Sequence, residues 1–120
     1  MSEKTLTVCR HYHRAIELIG RRWTGAVLQV LMHGRQRYSE IRGAIPEVSD
    51  RMLSERLKEL ESEGIVTRIV TPDTPVRVEY ELSPKGRALE QALGAIQHWA
   101  DEWKEPPAGA AHPTARAIRA

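Results

Sequence analysis

The sequence predicts a mainly α-helical domain with a small β-hairpin (α+β), on three observations. A short helical segment, a tight turn and a longer amphipathic helix follow one another between Ser39 and Gly64. Just past Gly64 the apolar period changes from helical to alternating, over two segments separated by Thr71-Pro-Asp-Thr-Pro75, which reads as strand, turn, strand. Ser83-Pro84 then returns the chain to helical spacing. Helix, turn, helix and hairpin in that order make a winged helix-turn-helix.

Met1 to Thr7 is short and polar and is expected to be flexible. Val8, Tyr12, Ala15, Ile16 and Ile19 then recur at helical spacing until Gly20, giving a first helix with a wide apolar face. After Arg21-Arg22-Trp23, Thr24 is read as the cap of a core helix that turns Val27, Leu28, Leu31 and Met32 inward and ends at Gly34. Arg35-Gln-Arg-Tyr38 has room only for a small edge strand. Ser39 is read as the cap of a third helix through Glu40, Ile41 and Ala44, which Pro46 terminates.

The longer helix runs from Val48 to Ile65. Ser49 can offer its hydroxyl to the first-turn N–H groups, and Gly64 can take the left-handed conformation that ends a helix, with Ile65 folding back behind it. Leu53, Leu57 and Leu60 form one apolar stripe; Arg51, Ser54, Glu55 and Lys58 fall on the opposite face. Such a helix is about 22 Å long and fits a major groove about 12 Å wide. A leucine stripe with a charged outer face is equally the pattern of an ordinary surface helix, so the neighbours decide. The hairpin that follows carries Val66, Arg68 and Val70 on one strand and Val76, Val78, Tyr80 and Leu82 on the other. Arg68 and Arg77 lie on this wing, where basic side chains meet phosphates. Ser83 caps the last helix, and Leu89, Leu93, Ile96, Ala100 and Trp103 repeat along it as a seam about two heptads long. The seam and the first helix together are expected to form a homodimer contact. The domain is therefore placed at 8–104, with 1–7 a flexible start and 105–120 a disordered tail.

Charge is distributed unevenly. Up to Lys58 there are eleven Lys or Arg against six Asp or Glu, whereas the remainder has seven against ten. The basic excess thus surrounds the outer face of the long helix, as expected where a protein meets a polyanion. Carboxylates are scattered and no nucleophile stands beside a recognisable base, so an enzyme is not expected. One cysteine excludes an internal disulfide, and no apolar run suits a membrane span or a signal-peptide core, which points to the cytoplasm.

Leu18-Ile-Gly-Arg-Arg-Trp-Thr24, Leu31-Met-His-Gly34, Arg37-Tyr-Ser-Glu-Ile41, Ser49-Asp-Arg-Met-Leu-Ser-Glu-Arg-Leu57, Arg77-Val-Glu-Tyr80 and Gly86 together resemble the HxlR family of bacterial winged-helix transcriptional regulators, relatives of the MarR type. The resemblance spans about Cys9 to Trp103. It implies a homodimer on a palindromic double-stranded DNA operator, with no cofactor and no enzymatic activity. It places Ser49, Arg51, Met52, Ser54 and Lys58 in or beside the major groove, Tyr38 and Ser39 near the backbone, and Arg77 on the wing. Arg51 is the candidate for a bidentate guanine contact, while Lys58, Arg68 and Arg77 are assigned to phosphates. Arg56 lies between the two faces and is instead read as a partner of Glu59 or Glu63.

The same resemblance singles out Cys9, since many members have a cysteine there and some respond to oxidants, aldehydes or quinones. The helix start and Arg10, His11 and His13 would favour its thiolate; the alternative is an inert, half-buried cysteine filling the start of the helix. Members often have proline directly after this cysteine, where this chain has Arg10. Cys9, His11 and His13 alternate, and alternate residues diverge on a helix, so no metal site is expected. Tyr12, Ile16, Leu89, Leu93, Ile96, Trp99 and Trp103 are the candidate dimer interface, with Trp99 and Trp103 also candidates to line a pocket for a small aromatic effector. The rival function is a protein-interaction module that docks a partner on the C-terminal seam.

Overall fold

The computed structural model describes residues 5–104; the expected tail 105–120 and the first four residues of the expected flexible start lie outside them. The order is α1 (Arg10–Ile19), α2 (Thr24–Leu31), β1 (Gln36–Arg37), α3 (Tyr38–Ala44), α4 (Asp50–Ser62), β2 (Val66–Thr71), β3 (Arg77–Leu82), α5 (Pro84–Arg87) and α6 (Glu90–Glu102). It is a winged helix-turn-helix. The chain divides into two compact units, one ending at Glu90 and one beginning at Gln91.

In the first unit, α2, α3 and α4 enclose a core of Val27, Leu28, Leu31, Ile41, Leu53, Leu57 and Leu60, closed from below by Ile65, Val66 and Leu82. Burying each such side chain is worth about 1.5–3 kcal/mol. Ile45 and Val48 are also buried, and the Val48 N–H donates to the Ile45 carbonyl at 3.2 Å, so the turn between α3 and α4 is pinned at both ends. The Ser49 hydroxyl accepts from the Met52 N–H at 3.1 Å. At the other end Gly64 has φ +76°, its N–H meets the Glu61 carbonyl at 3.0 Å, and the Ile65 N–H meets Leu60 at 2.9 Å. This paired closure is the left-handed stop expected of Gly64.

The sheet has the order β1-β3-β2, antiparallel throughout. Val66 faces Leu82 and Thr71 faces Arg77 across the hairpin, while Gln36 faces Tyr80 on the other side. The short segment before α3 is therefore the edge strand its length allowed. Val76 lies in the turn, one residue before β3.

Three local expectations are corrected. Thr24 does not cap α2: it is the first helical residue and buried, and Trp23 occupies the cap with φ +76°. A left-handed non-glycine residue costs about 1–2 kcal/mol. The Arg56 guanidinium from α4 offsets it by donating Nε to the Arg22 carbonyl at 2.8 Å, and Arg22 itself lies over the Trp23 ring at 5.2 Å. Ser39 does not cap α3 either, because the helix begins at Tyr38 and the Glu40 carboxylate takes the Arg37 backbone N–H at 2.7 Å. Finally, the last helix is two helices, α5 and α6, interrupted at Ala88 and Leu89, where the Leu89 N–H reaches back to Gly86 at 3.0 Å. Leu89 thus precedes α6.

The second unit consists, within the described residues, of α6 from Gln91 onward. Leu93 is half-buried; Ile96, Trp99 and Trp103 are exposed. His98 and Glu102 pair along it at 3.8 Å. Among the described residues no helix is long and apolar enough to cross a membrane.

Candidate nucleic-acid interface

With Leu53, Leu57 and Leu60 buried, α4 turns Asp50, Arg51, Ser54, Glu55 and Lys58 to solvent. Arg51 is 90% exposed and only lightly held, by Glu55 one turn on at 3.3 Å. Met52 is half-buried beside it. Arg56 is 12% exposed and carries a fork of bonds to Glu59 at 3.0 and 3.1 Å besides the Arg22 carbonyl. It pairs with Glu59 as the sequence suggested, and its guanidinium is used up inside the fold.

The first turn of α4 is tied to α3 through Asp50. Arg42 Nε donates to Asp50 Oδ1 at 2.9 Å. The Tyr38 hydroxyl lies 3.1 Å from the same oxygen, 3.2 Å from the Asp50 carbonyl and 3.4 Å from Ser54 Oγ. The Arg42 bond, and after it the Tyr38 hydroxyl, hold the Asp50 carboxyl below the usual carboxylate range. Tyr38, Ser54 and Asp50 are thus gathered into one cluster. Sequence reading missed Asp50 and Arg42: Asp50 was visible as the residue after the Ser49 cap, but its partner stands eight positions away on another helix.

Between the start of α3 and the wing tip lies an open cleft of about 460 Å³, lined by Arg37, Tyr38, Ser39, Asp73 and Arg77 among others. Arg77 does not stand free there. Its guanidinium meets Asp73 at 2.9 Å and Glu79 at 3.9 Å, and its buried Nε has no hydrogen-bond partner among the described residues. Arg68, exposed on β2 opposite Tyr80, has no ion-pair partner among the described residues. Lys58 sits apart, in a shallow groove with Leu18, Arg21, Glu59 and Glu63.

Cys9 stands at the N-cap of α1 with no side-chain cap bond among the described residues, and it is exposed in the single chain. Among the described residues no three His, Cys, Asp or Glu groups lie close enough to hold a metal ion. Tyr12 and Ile16 are exposed on α1, none of whose residues is buried. Leu89 is half-buried and lines a second pocket, of about 480 Å³, with His11, Arg14, Leu18, Ile65 and Lys85.

A helix-turn-helix with a capped, polar-faced second helix, followed by a hairpin wing, is the architecture of DNA-binding transcriptional regulators. Residues 18–108 match the HxlR-like helix-turn-helix family, and the chain belongs to that family. It is 50% identical over 99 residues to the HTH-type transcriptional regulator YvaP of Bacillus subtilis strain 168, covering 82% of this chain and 92% of YvaP. It is 48% identical over 100 residues to YodB of the same organism, covering 83% and 89% respectively. The solved structure of reduced YodB superposes with a TM-score of 0.74 over 84% of this chain and 99% of that one, at 46% identity. YodB has also been solved diamide-treated and quinone-bound. The redox regulator HypR in its oxidised form gives a TM-score of 0.76 over 80% of this chain and 99% of that one, at 32% identity. The family and these relatives are transcriptional regulators, not enzymes.

Proposed function

We propose that the protein is a homodimeric regulator that binds a palindromic operator through α4 and the wing, and that releases or engages DNA in response to an oxidant or electrophile acting at Cys9. The observation that carries the DNA reading is the outer face of α4. Its leucines are spent in the core, its N-terminus is closed by Ser49, and Arg51 projects with 90% of its side chain exposed. Arg51 reads a guanine. Ser49, Met52 and Ser54 lie beside it, Tyr38 and Ser39 approach the backbone, and Lys58 and Arg68 hold phosphates. Arg77 reaches a phosphate only by exchanging Asp73 for it. Such a protein works where the chromosome is, in the cytoplasm.

The dimer reading is supported by apolar side chains that have no reason to face water: Val8, Tyr12 and Ile16 around α1, and separately Ile96, Trp99 and Trp103 on α6. The exposed Cys9 beside the first group, and the reduced, diamide-treated and quinone-bound structures of a relative, support a thiol signal over a small aromatic effector held by Trp99 and Trp103. A disulfide would have to join two protomers or a small thiol.

Binding to the DNA upstream of the gene and its neighbours, at 50 and 200 mM salt, tests the first part: six to ten phosphate contacts lose about 10³–10⁵ in affinity over that range. Salt-insensitive or absent binding would favour the protein-interaction module. Repeating the measurement after diamide or a quinone, with Cys9→Ser alongside, tests the signal; equal responses of the two proteins would remove Cys9 from the reading. A monomeric sedimentation profile at micromolar concentration would refute the dimer.

A further inference from the structure

We infer that Asp50 is a base-reading residue, its unbonded Oδ2 accepting from the exocyclic amino group of a cytosine in each half-site, with Arg42 and Tyr38 as the positioning residues that aim it. The inference rests on α4 being the DNA-reading helix. Asp50 is the first residue of α4, and the N-terminal residues of a recognition helix are those that meet base edges. The usual task of an acid at this point, closing the helix end, is already performed by Ser49, which accepts the Met52 N–H at 3.1 Å.

The carboxylate is nevertheless held from outside its own helix. Arg42 Nε at 2.9 Å and the Tyr38 hydroxyl at 3.1 Å both approach Oδ1, and both come from α3. Oδ2 has no hydrogen-bond partner among the described residues, while the side chain remains 76% exposed. Two donors on one oxygen fix the plane of the group and leave the other oxygen pointing away from them. The result is a single oriented acceptor at the tip of the helix that enters the groove.

An ionised carboxylate can only accept. The major-groove edges offer two amino donors, cytosine N4 and adenine N6, and adenine places its N7 acceptor next to the amino group, where it would repel a second negative oxygen. Cytosine is the base that an oriented carboxylate selects. Arg51, the next residue, has the complementary chemistry for guanine, so neighbouring side chains can read both kinds of base in a G·C-containing half-site.

The test is site selection by the full-length protein from a randomised duplex pool, followed by relative affinities for each base at each position of the selected half-site. Wild type should prefer cytosine at one position, distinct from the guanine position that Arg51→Ala relaxes. Asp50→Ala should lower that cytosine preference about fivefold or more, and Asp50→Asn should turn it toward adenine, whose N6 and N7 suit an amide. Tyr38→Phe, which removes one of two aiming bonds, should weaken the preference less than Asp50→Ala does. These are ratios between sequences on one preparation, so a smaller folded fraction does not move them. Unchanged preference at every position in both Asp50 variants would overturn the inference while leaving α4 as the reading helix. A wild-type protein that selects no sequence would overturn both.

Discussion

Replacing Gly86 by alanine should destabilise the fold although alanine is the better helix former. Gly86 lies inside α5 and is buried, and adding a methyl to a helical glycine normally stabilises by about 0.5–1 kcal/mol. Here the added carbon would lie against the Ile65 carbonyl oxygen far inside contact distance, 3.1 Å from Ile65 Cγ2 and 3.2 Å from the carbonyl carbon. The obstacle is main chain, and that carbonyl also accepts the Ser83 N–H at 2.9 Å, so it cannot swing aside without losing a bond. Over-packing against backbone costs about 1–3 kcal/mol, and a lost hydrogen bond about 1 kcal/mol more. Set against the helical gain, the net is about 2 kcal/mol, or about 8–16 °C in Tm for a domain of this size. Gly25→Ala in α2 is the paired control, because a methyl there meets nothing within 4 Å among the described residues and should leave Tm level or raise it slightly. Thermal and urea melts of both variants at one protein concentration read the difference. A Gly86→Ala protein as stable as wild type would mean that α5 is not seated on Ile65 as described.

Three further outcomes follow from the interface. Arg51→Ala should relax base preference at one position of each half-site, by about 1–3 kcal/mol, whereas Lys58→Ala should weaken all sequences alike and lower the salt slope by about one; equal effects from both would abolish the division of roles. Asp73→Ala, by releasing Arg77 from its 2.9 Å partner, should tighten DNA binding at low salt and steepen the salt dependence by about one contact, and an unchanged slope would remove Arg77 from the phosphate contacts. The Asp50 carboxyl should titrate below its usual 3.8, and the NMR-detected value should rise in Arg42→Met. Because the folded value is the lower one, the stabilisation is complete above the unfolded value and is lost as pH falls through the folded one; a titration unmoved by Arg42→Met would contradict the bond.

What could be read from the sequence was local. The limits of α4 followed from Ser49 and Gly64 and its buried face from three leucines, because capping and helical period act over one or two turns. The wing followed from a change of period and a proline-rich turn. What could not be read is tertiary. Arg56 reaches across 34 residues to the Arg22 carbonyl, and nothing near Trp23 announces that this bond will support a left-handed tryptophan in place of a Thr24 cap. Arg77 reads as a spare cation until the hairpin folds Asp73 against it. The break at Ala88 and Leu89 has no proline or glycine at the break itself; it accompanies the close seating of Gly86 two residues earlier. In the interface the exposed positions of α4 were legible, but the Asp50–Arg42–Tyr38 cluster was not, since its members meet only once α3 crosses α4.

The junction at Ile65 carries a mechanical consequence. The Ser83 hydroxyl lies within bonding reach of the Gly64 and Ile65 carbonyls and accepts the Gly86 N–H, and Lys85 reaches the Glu63 carbonyl at 2.7 Å. The end of α4, both strands of the wing and the start of α5 are therefore bolted at one point, leaving the helix and wing little freedom to hinge against each other. In the proposed dimer, each half would behave as a stiff key of unchanging shape. A chemical signal could then act only on how far apart, and at what angle, two such keys are carried, and response and recognition could change independently during evolution.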